Sequence, residues 1–202
     1  MLGSQSDFVA VVFARQGAGG EFLMSLLKSH NSNLWDGFKF HCFQHIYTGP
    51  EEQLLKLHHH NPKFINDIPL ELQQPFDYTF DFESWSTTVP NIFLRFDFEL
   101  LKRFRQYRIK RHRLAHMFAN SCEQFDKLFD ESLFICDKNT TVIDYFNPLD
   151  TYAEICDRLA LSSNVKHFKN AWISYYKFQM MTVPKSDIEL RDRFRTAIKN
   201  LV

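Results

Sequence analysis

Phe8 to Leu27 reads FVAVVFARQGAGGEFLMSLL, and this stretch decides how the rest of the chain is understood. Phe8 to Phe13 is a continuous apolar run rich in valine, the pattern of a strand covered on both faces. Gly17, Gly19 and Gly20 then allow a backbone with positive φ and close approach by another group. From Glu21 to Leu27 the apolar residues return with helical spacing. A glycine turn that opens a helix presents unpaired N–H groups and a partial positive charge, which suits a phosphate or sulfate. The same residues also read as a tight strand-to-helix connection without a ligand.

The turn departs from two common phosphate motifs. A Walker A loop, GxxxxGK(S/T), needs a second glycine five residues after Gly17, where Phe22 stands, and no Lys or hydroxyl follows it directly. A dinucleotide fingerprint needs its third glycine at the same place. The segment resembles the 5′-phosphosulfate-binding loop of the P-loop sulfotransferase superfamily, and most closely its divergent, phage-type branch with GxGGxFL loops. Phe22-Leu23 falls on the family's aromatic–leucine pair, Gly19 on the loop glycine and Gly20-Glu21 on the two hydroxyl positions. Gly17 falls where the family carries Lys or Arg, and Arg15 is the nearest cation.

The resemblance implies an α/β fold with a mostly parallel sheet flanked by helices. It also implies a 3′-phosphoadenosine-5′-phosphosulfate cofactor held by Gly17, Ala18, Gly19, Gly20, Glu21 and Phe22. Such a protein transfers a sulfuryl group to a hydroxyl or amine acceptor. Transfer needs a cation at the bridging oxygen and a base for the acceptor's proton, roles that fall to Arg15 and His45. The family binds the nucleotide's 3′-phosphate with an arginine and a serine eight residues on. Arg113 and Ser121 have that separation, and Arg95 is the alternative at a strand end. Trp172 in a late helix fits the same layout.

Length and composition are those of one domain. The chain has 202 residues and no net charge, and aromatics reach 16% with 22 phenylalanines. Rings in this number fill a core or build a contact surface for a protein partner. Cys42, Cys122, Cys136 and Cys156 lack paired short spacings and read as reduced, mostly buried thiols. No signal peptide and no apolar run of membrane-spanning length is visible, so a cytoplasmic protein without membrane contact is expected.

Further along, residues 31–50 read as an irregular aromatic stretch, followed by a helix over Glu51 to His58. Phe64-Ile65 and Tyr78 to Phe82 are short extended candidates. Asn91 to Phe96 reads as a second buried strand, and Asp97 caps a long helix reaching about Asp130. Leu133 to Cys136 and Thr141 to Tyr145 are expected strands. Helices are expected from Asp150 to about Leu161, over Val165 to Gln179, and from Ser186 onward. In the last, Ser186 and Glu189 have capping-box spacing and Leu190, Phe194, Ile198 and Leu201 form an apolar stripe.

Lys102 to Arg113, KRFRQYRIKRHR, is the main charged feature. It reads either as a contact for a polyanion such as a nucleotide, RNA or DNA, or as a solvated face balanced by nearby acids. His41 and His45 have the i, i+4 spacing that shares a helix face, but without HExxH context no metal is expected. Two functional classes therefore stand side by side. One is a sulfotransferase-like enzyme with a nucleotide and an unidentified acceptor. The other is a non-catalytic binding or assembly protein, phage-associated, on the same scaffold, with nucleic-acid binding through 102–113 as a further alternative.

Overall fold

The computed structural model describes residues 10–15, 17–30, 38–42, 45–46, 90–112 and 131–202. Along the chain run β1 (Ala10–Ala14), α1 (Gly20–Lys28), β2 (Phe38–Cys42), β3 (His45–Ile46), β4 (Asn91–Arg95) and α2 (Phe98–His112). They are followed by α3 (Ser132–Ile135), β5 (Thr140–Asp144), α4 (Tyr152–Arg158), α5 (Val165–Met180) and α6 (Ile188–Leu201). The five strands form one sheet in the order β3-β2-β1-β4-β5. β1 pairs in parallel with β2 and β4, and β4 in parallel with β5, while β3 is antiparallel to β2. The fold is α/β with a mostly parallel sheet.

Strand alternation divides the sheet into two faces. Val12, Ile92, Leu94, Ile143 and Tyr145 join the main core, which draws apolar residues from α1, α2, α4, α5 and α6. The opposite face carries Phe13 and Phe93, each 4.9 Å from the ring of Phe134 in α3. Among the described residues many aromatic rings lie inside, with Trp172, Tyr145, Tyr176, Phe96 and Phe194 all fully buried. The exposed large apolar side chains include Phe178 and Met181.

Three expectations are corrected. The stretch 31–50 contains strands β2 and β3 rather than only irregular chain. Its F-K-F-H alternation is short, and pairing with the buried strand β1 stabilises it. Leu133 to Cys136 is not a strand: Ser132–Ile135 forms one helical turn, with Ile135 N–H donating to Glu131 O at 3.1 Å. A four-residue apolar run does not distinguish the two by pattern, and the turn aims Phe134 alone into the space between Phe13 and Phe93. Finally, α6 is capped by Asp187, whose Oδ1 accepts from Leu190 N–H at 3.0 Å, and not by Ser186. Asp187 also accepts from the Tyr107 hydroxyl at 2.9 Å, tying α6 to α2.

The remaining expected elements hold with shifted ends. β4 ends at Arg95, β5 starts at Thr140, and the helix expected from Asp150 is regular only over Tyr152–Arg158. Asp97 caps α2 through Oδ1, which accepts from Leu100 N–H at 2.9 Å. The expected elements in 51–82 and the α2 continuation beyond 112 lie outside the described residues. Of the four cysteines, Cys156 is a buried free thiol and Cys136 an exposed one.

Candidate anion site at the glycine turn

The chain leaves β1 toward β2 on one side and leaves β4 toward β5 on the other. The carboxyl ends of β1 and β4 therefore flank the point where the sheet changes direction, the usual place for a ligand in an open α/β sheet. The glycine turn emerges there. Ala18 N–H closes it on Arg15 O at 3.0 Å. Gly17 and Gly19 take φ of 82° and 89°, the left-handed region that other residues enter at a cost. Gly19 is the N-cap of α1 and, being glycine, has no side chain to cap that helix. By contrast α2, α5 and α6 are each capped, by Asp97, Asn164 and Asp187.

Two arginines of α2 close on the turn. Arg108 Nη1 donates to Gly17 O at 3.3 Å. Arg105 is only 5% exposed, and its Cγ lies 3.4 Å from where a Cβ on Gly17 would stand. A third group, Tyr175 of α5, rests on Gly19. A Cβ there would lie 3.1 Å from Tyr175 Cζ and closer still to its hydroxyl. The Tyr175 ring stacks on Phe22 at 3.9 Å, and Phe22 meets Trp172 edge-on at 4.9 Å. Beneath them Tyr145 is completely buried; burial first, then Tyr175 and Tyr176, hold its hydroxyl well above the usual range for loss of the proton.

The residues singled out from sequence fall in several places. Gly17, Ala18, Gly19 and Gly20 form the turn, and Phe22 turns its ring onto α5. Glu21 lies in the first turn of α1, its side chain outside the described residues. Arg15 is buried beside the turn. Its Nε donates to Glu131 Oε1 at 3.0 Å and its Cζ lies 4.5 Å over the Phe98 ring. Arg95 ends β4 and pairs with Asp144 at 3.3 Å on the exposed carboxyl edge of the sheet. Arg113 and Ser121 lie outside the described residues.

His45 belongs to β3, two strands from β1, which at the usual strand spacing is about 10 Å. Its partner Cys42 pairs in turn with Ala14, so His45 stands level with the carboxyl edge. The helical i, i+4 relation of His41 and His45 does not hold: they sit on successive rungs of a β2–β3 hairpin. Among the described residues no group of three or more His, Cys, Asp or Glu is placed to hold a metal, and no helix is long and apolar enough to cross a membrane.

Sequence reasoning had bounded the basic helix without singling out Arg105, Arg108 or the capping Tyr175. The signal for the arginines was helical spacing. Arg105 lies four residues after Leu101 and Arg108 four after Phe104, both buried apolar positions, so the two cations continue the inward stripe. Two outward cations of the helix are matched by acids. Lys102 pairs with Glu99 at 3.1 Å and Arg103 with Glu189 at 2.6 Å.

A second polar cluster lies at the far end of α1. His30 bonds Leu26 O through Nδ1 and the Tyr152 hydroxyl through Nε2, each at 2.8 Å. Ser29 Oγ meets His167 Nε2 at 2.9 Å, and the two imidazoles are 5.6 Å apart. Burial pushes the His30 pKa below its ordinary 6.5, with the Leu26 carbonyl opposing and His167 adding to the effect. Compared with known proteins, the chain matches no family model, no curated protein and no solved structure.

Proposed function

We propose that this chain is a sulfotransferase-like protein that binds a phosphosulfate nucleotide at its glycine turn. The observation that carries this reading is the meeting of Gly17 with Arg105 and Arg108. Gly17 occupies the place where the resembled loop carries its Lys or Arg, and α2 delivers two guanidinium groups to that same place. The helix supplies the charge that the loop lacks. Together with the glycine-capped start of α1, this is a cationic, donor-rich corner suited to a phosphosulfate.

In the transfer step, the acceptor's oxygen or nitrogen attacks sulfur while the bond from sulfur to the 5′-phosphate oxygen breaks. Arg108 offsets the charge growing on that oxygen. The acceptor's proton passes to a base, for which His45 at the carboxyl edge is the candidate, and the nucleotide leaves as 3′-phosphoadenosine-5′-phosphate. Arg95, on the same edge, is the remaining described candidate for the 3′-phosphate. The second reading, binding without turnover, is favoured by one contact: Arg15, the cation read for the transfer role, is already engaged by Glu131. Nucleic-acid binding through 102–113 is less favoured because Lys102 and Arg103 are matched by acids.

Calorimetric titration with 3′-phosphoadenosine-5′-phosphate tests the reading. Micromolar binding is expected, weakened about tenfold or more in Arg108→Ala through loss of a charged hydrogen bond, and unchanged in Lys102→Ala. No binding at millimolar nucleotide refutes it.

A further inference from the structure

We propose that the tip where α5 turns into α6 docks this protein onto an anionic lipid surface. Phe178, Met181 and Ile188 enter the interface, and Lys177 and Lys185 meet the headgroups. Neither the glycine turn nor its ligand enters into this. α5 and α6 run antiparallel: Arg191 Nη1 donates to Met180 O at 3.3 Å and to Val183 O at 2.8 Å, and the Phe194 ring meets Tyr176 at 5.9 Å. Ile188, the first residue of α6, therefore stands at the same end of the pair as Phe178 and Met181. The three are 67%, 59% and 66% exposed. Their support is fixed. Met181 and Val183 N–H close the turn on Phe178 O and Met180 O, each at 3.2 Å, and the Thr182 hydroxyl donates to Gln179 O at 2.7 Å. Val183 and Leu190 anchor it from the core side. Apolar side chains gathered in the open within a polar rim mark an interaction surface.

Charge decides the occupant. From Val165 to Ser186 the chain carries Lys166, Lys169, Lys177 and Lys185 and no Asp or Glu. Lys177 and Lys185 are exposed, and neither pairs with an acid among the described residues. The acids that open α6 are engaged elsewhere. Asp187 accepts from Leu190 N–H, Glu189 pairs with Arg103 at 2.6 Å and Asp192 with Arg195 at 2.6 Å. The tip is thus apolar and positive together. A second copy would set lysine against lysine. Side chains standing more than half exposed suit a fluid surface, where they sink below the headgroups while lysine ammonium groups stay with the phosphates. The expectation of no membrane contact rests on the length of apolar runs, which does not detect side chains gathered at a turn.

The test sediments the full chain with vesicles of phosphatidylcholine alone and of phosphatidylcholine mixed with phosphatidylserine. Binding to the mixed vesicles only is expected, and it should weaken at high salt. Lys185→Gln should lower the partition about fivefold, and Phe178→Ser about tenfold or more. Ile188→Ser, on the other helix, should lower it as well. All three positions are exposed, so the thermal midpoints should match wild type. No binding to the mixed vesicles overturns the proposal. Wild-type binding by the variants overturns it too, moving the contact to another basic surface such as α2. Self-association in the absence of lipid that is lost in Phe178→Ser, read by sedimentation velocity, would assign the tip to a second copy and refute the lipid contact.

Discussion

Replacing Gly19 with alanine probes the tightest contact of the site. Two costs combine. The backbone at φ 89° is left-handed, and a Cβ there costs about 1–2 kcal/mol. The new methyl would also lie 3.1 Å from Tyr175 Cζ and 3.3 Å from Cε1, so the ring must leave Phe22, at about 0.5–1.5 kcal/mol for the aromatic pair. Gly19→Ala should therefore destabilise by about 1.5–3.5 kcal/mol. Gly17→Ala is the internal comparison. Its φ is 82°, but the nearest atom to its Cβ is 3.4 Å away, an ordinary contact. It should cost only the backbone strain, about 1–2 kcal/mol. Urea unfolding of both variants, repeated with Gly19→Ala in a Tyr175→Ala background, separates the parts. In that background the cost should fall to the strain alone. If Gly19→Ala costs the same with and without the tyrosine ring, Tyr175 does not pack on the turn and the reasoning fails.

Phe134→Ala should cost about 3–5 kcal/mol, because one ring fills the space between Phe13 and Phe93. A loss under 1 kcal/mol by chemical denaturation would show that α3 does not dock there. The His30 imidazole titrates below its ordinary 6.5 because of burial. The unfolded chain therefore takes up the proton first on acidification. The contribution of His30 to stability is present above pH 6.5 and is lost as pH falls through the lowered value. His30→Gln should flatten the dependence of the unfolding midpoint on pH across that range, and an unchanged profile would contradict the assignment.

The architecture was legible where local signals agreed. Valine-rich β1, its glycines and the periodic start of α1 point to one answer at three levels, and the structure follows them. Asp97 as a cap and Leu190 and Phe194 as an inward stripe were equally local facts. What was hidden depends on pairing across sequence. Phe38–Cys42 is a strand because β1 lies beside it, and Leu133–Cys136 is not one because Phe13 and Phe93 need a single ring. In the site, the turn could be read but not what closes on it. Tyr175 reaches Gly19 only through the docking of α5, and no spacing near either residue announces it.

The sheet order has a consequence for the way the chain reaches its folded state. β1 is a central strand, and Ala14 pairs with Leu94 on one side as well as with Cys42 on the other. Its Phe13 face awaits Phe134, later still in the sequence. During synthesis from the N-terminus, the most apolar strand therefore emerges well before the partners that shield it. Pairings so distant in sequence require a large loop to close before any contact rewards it, which slows folding. Over that interval an exposed, uncharged strand is the segment most prone to self-association. Folding yield in refolding or expression should thus respond more to charge placed in residues 8–13 than to changes in α6, whose local contacts with α5 form early.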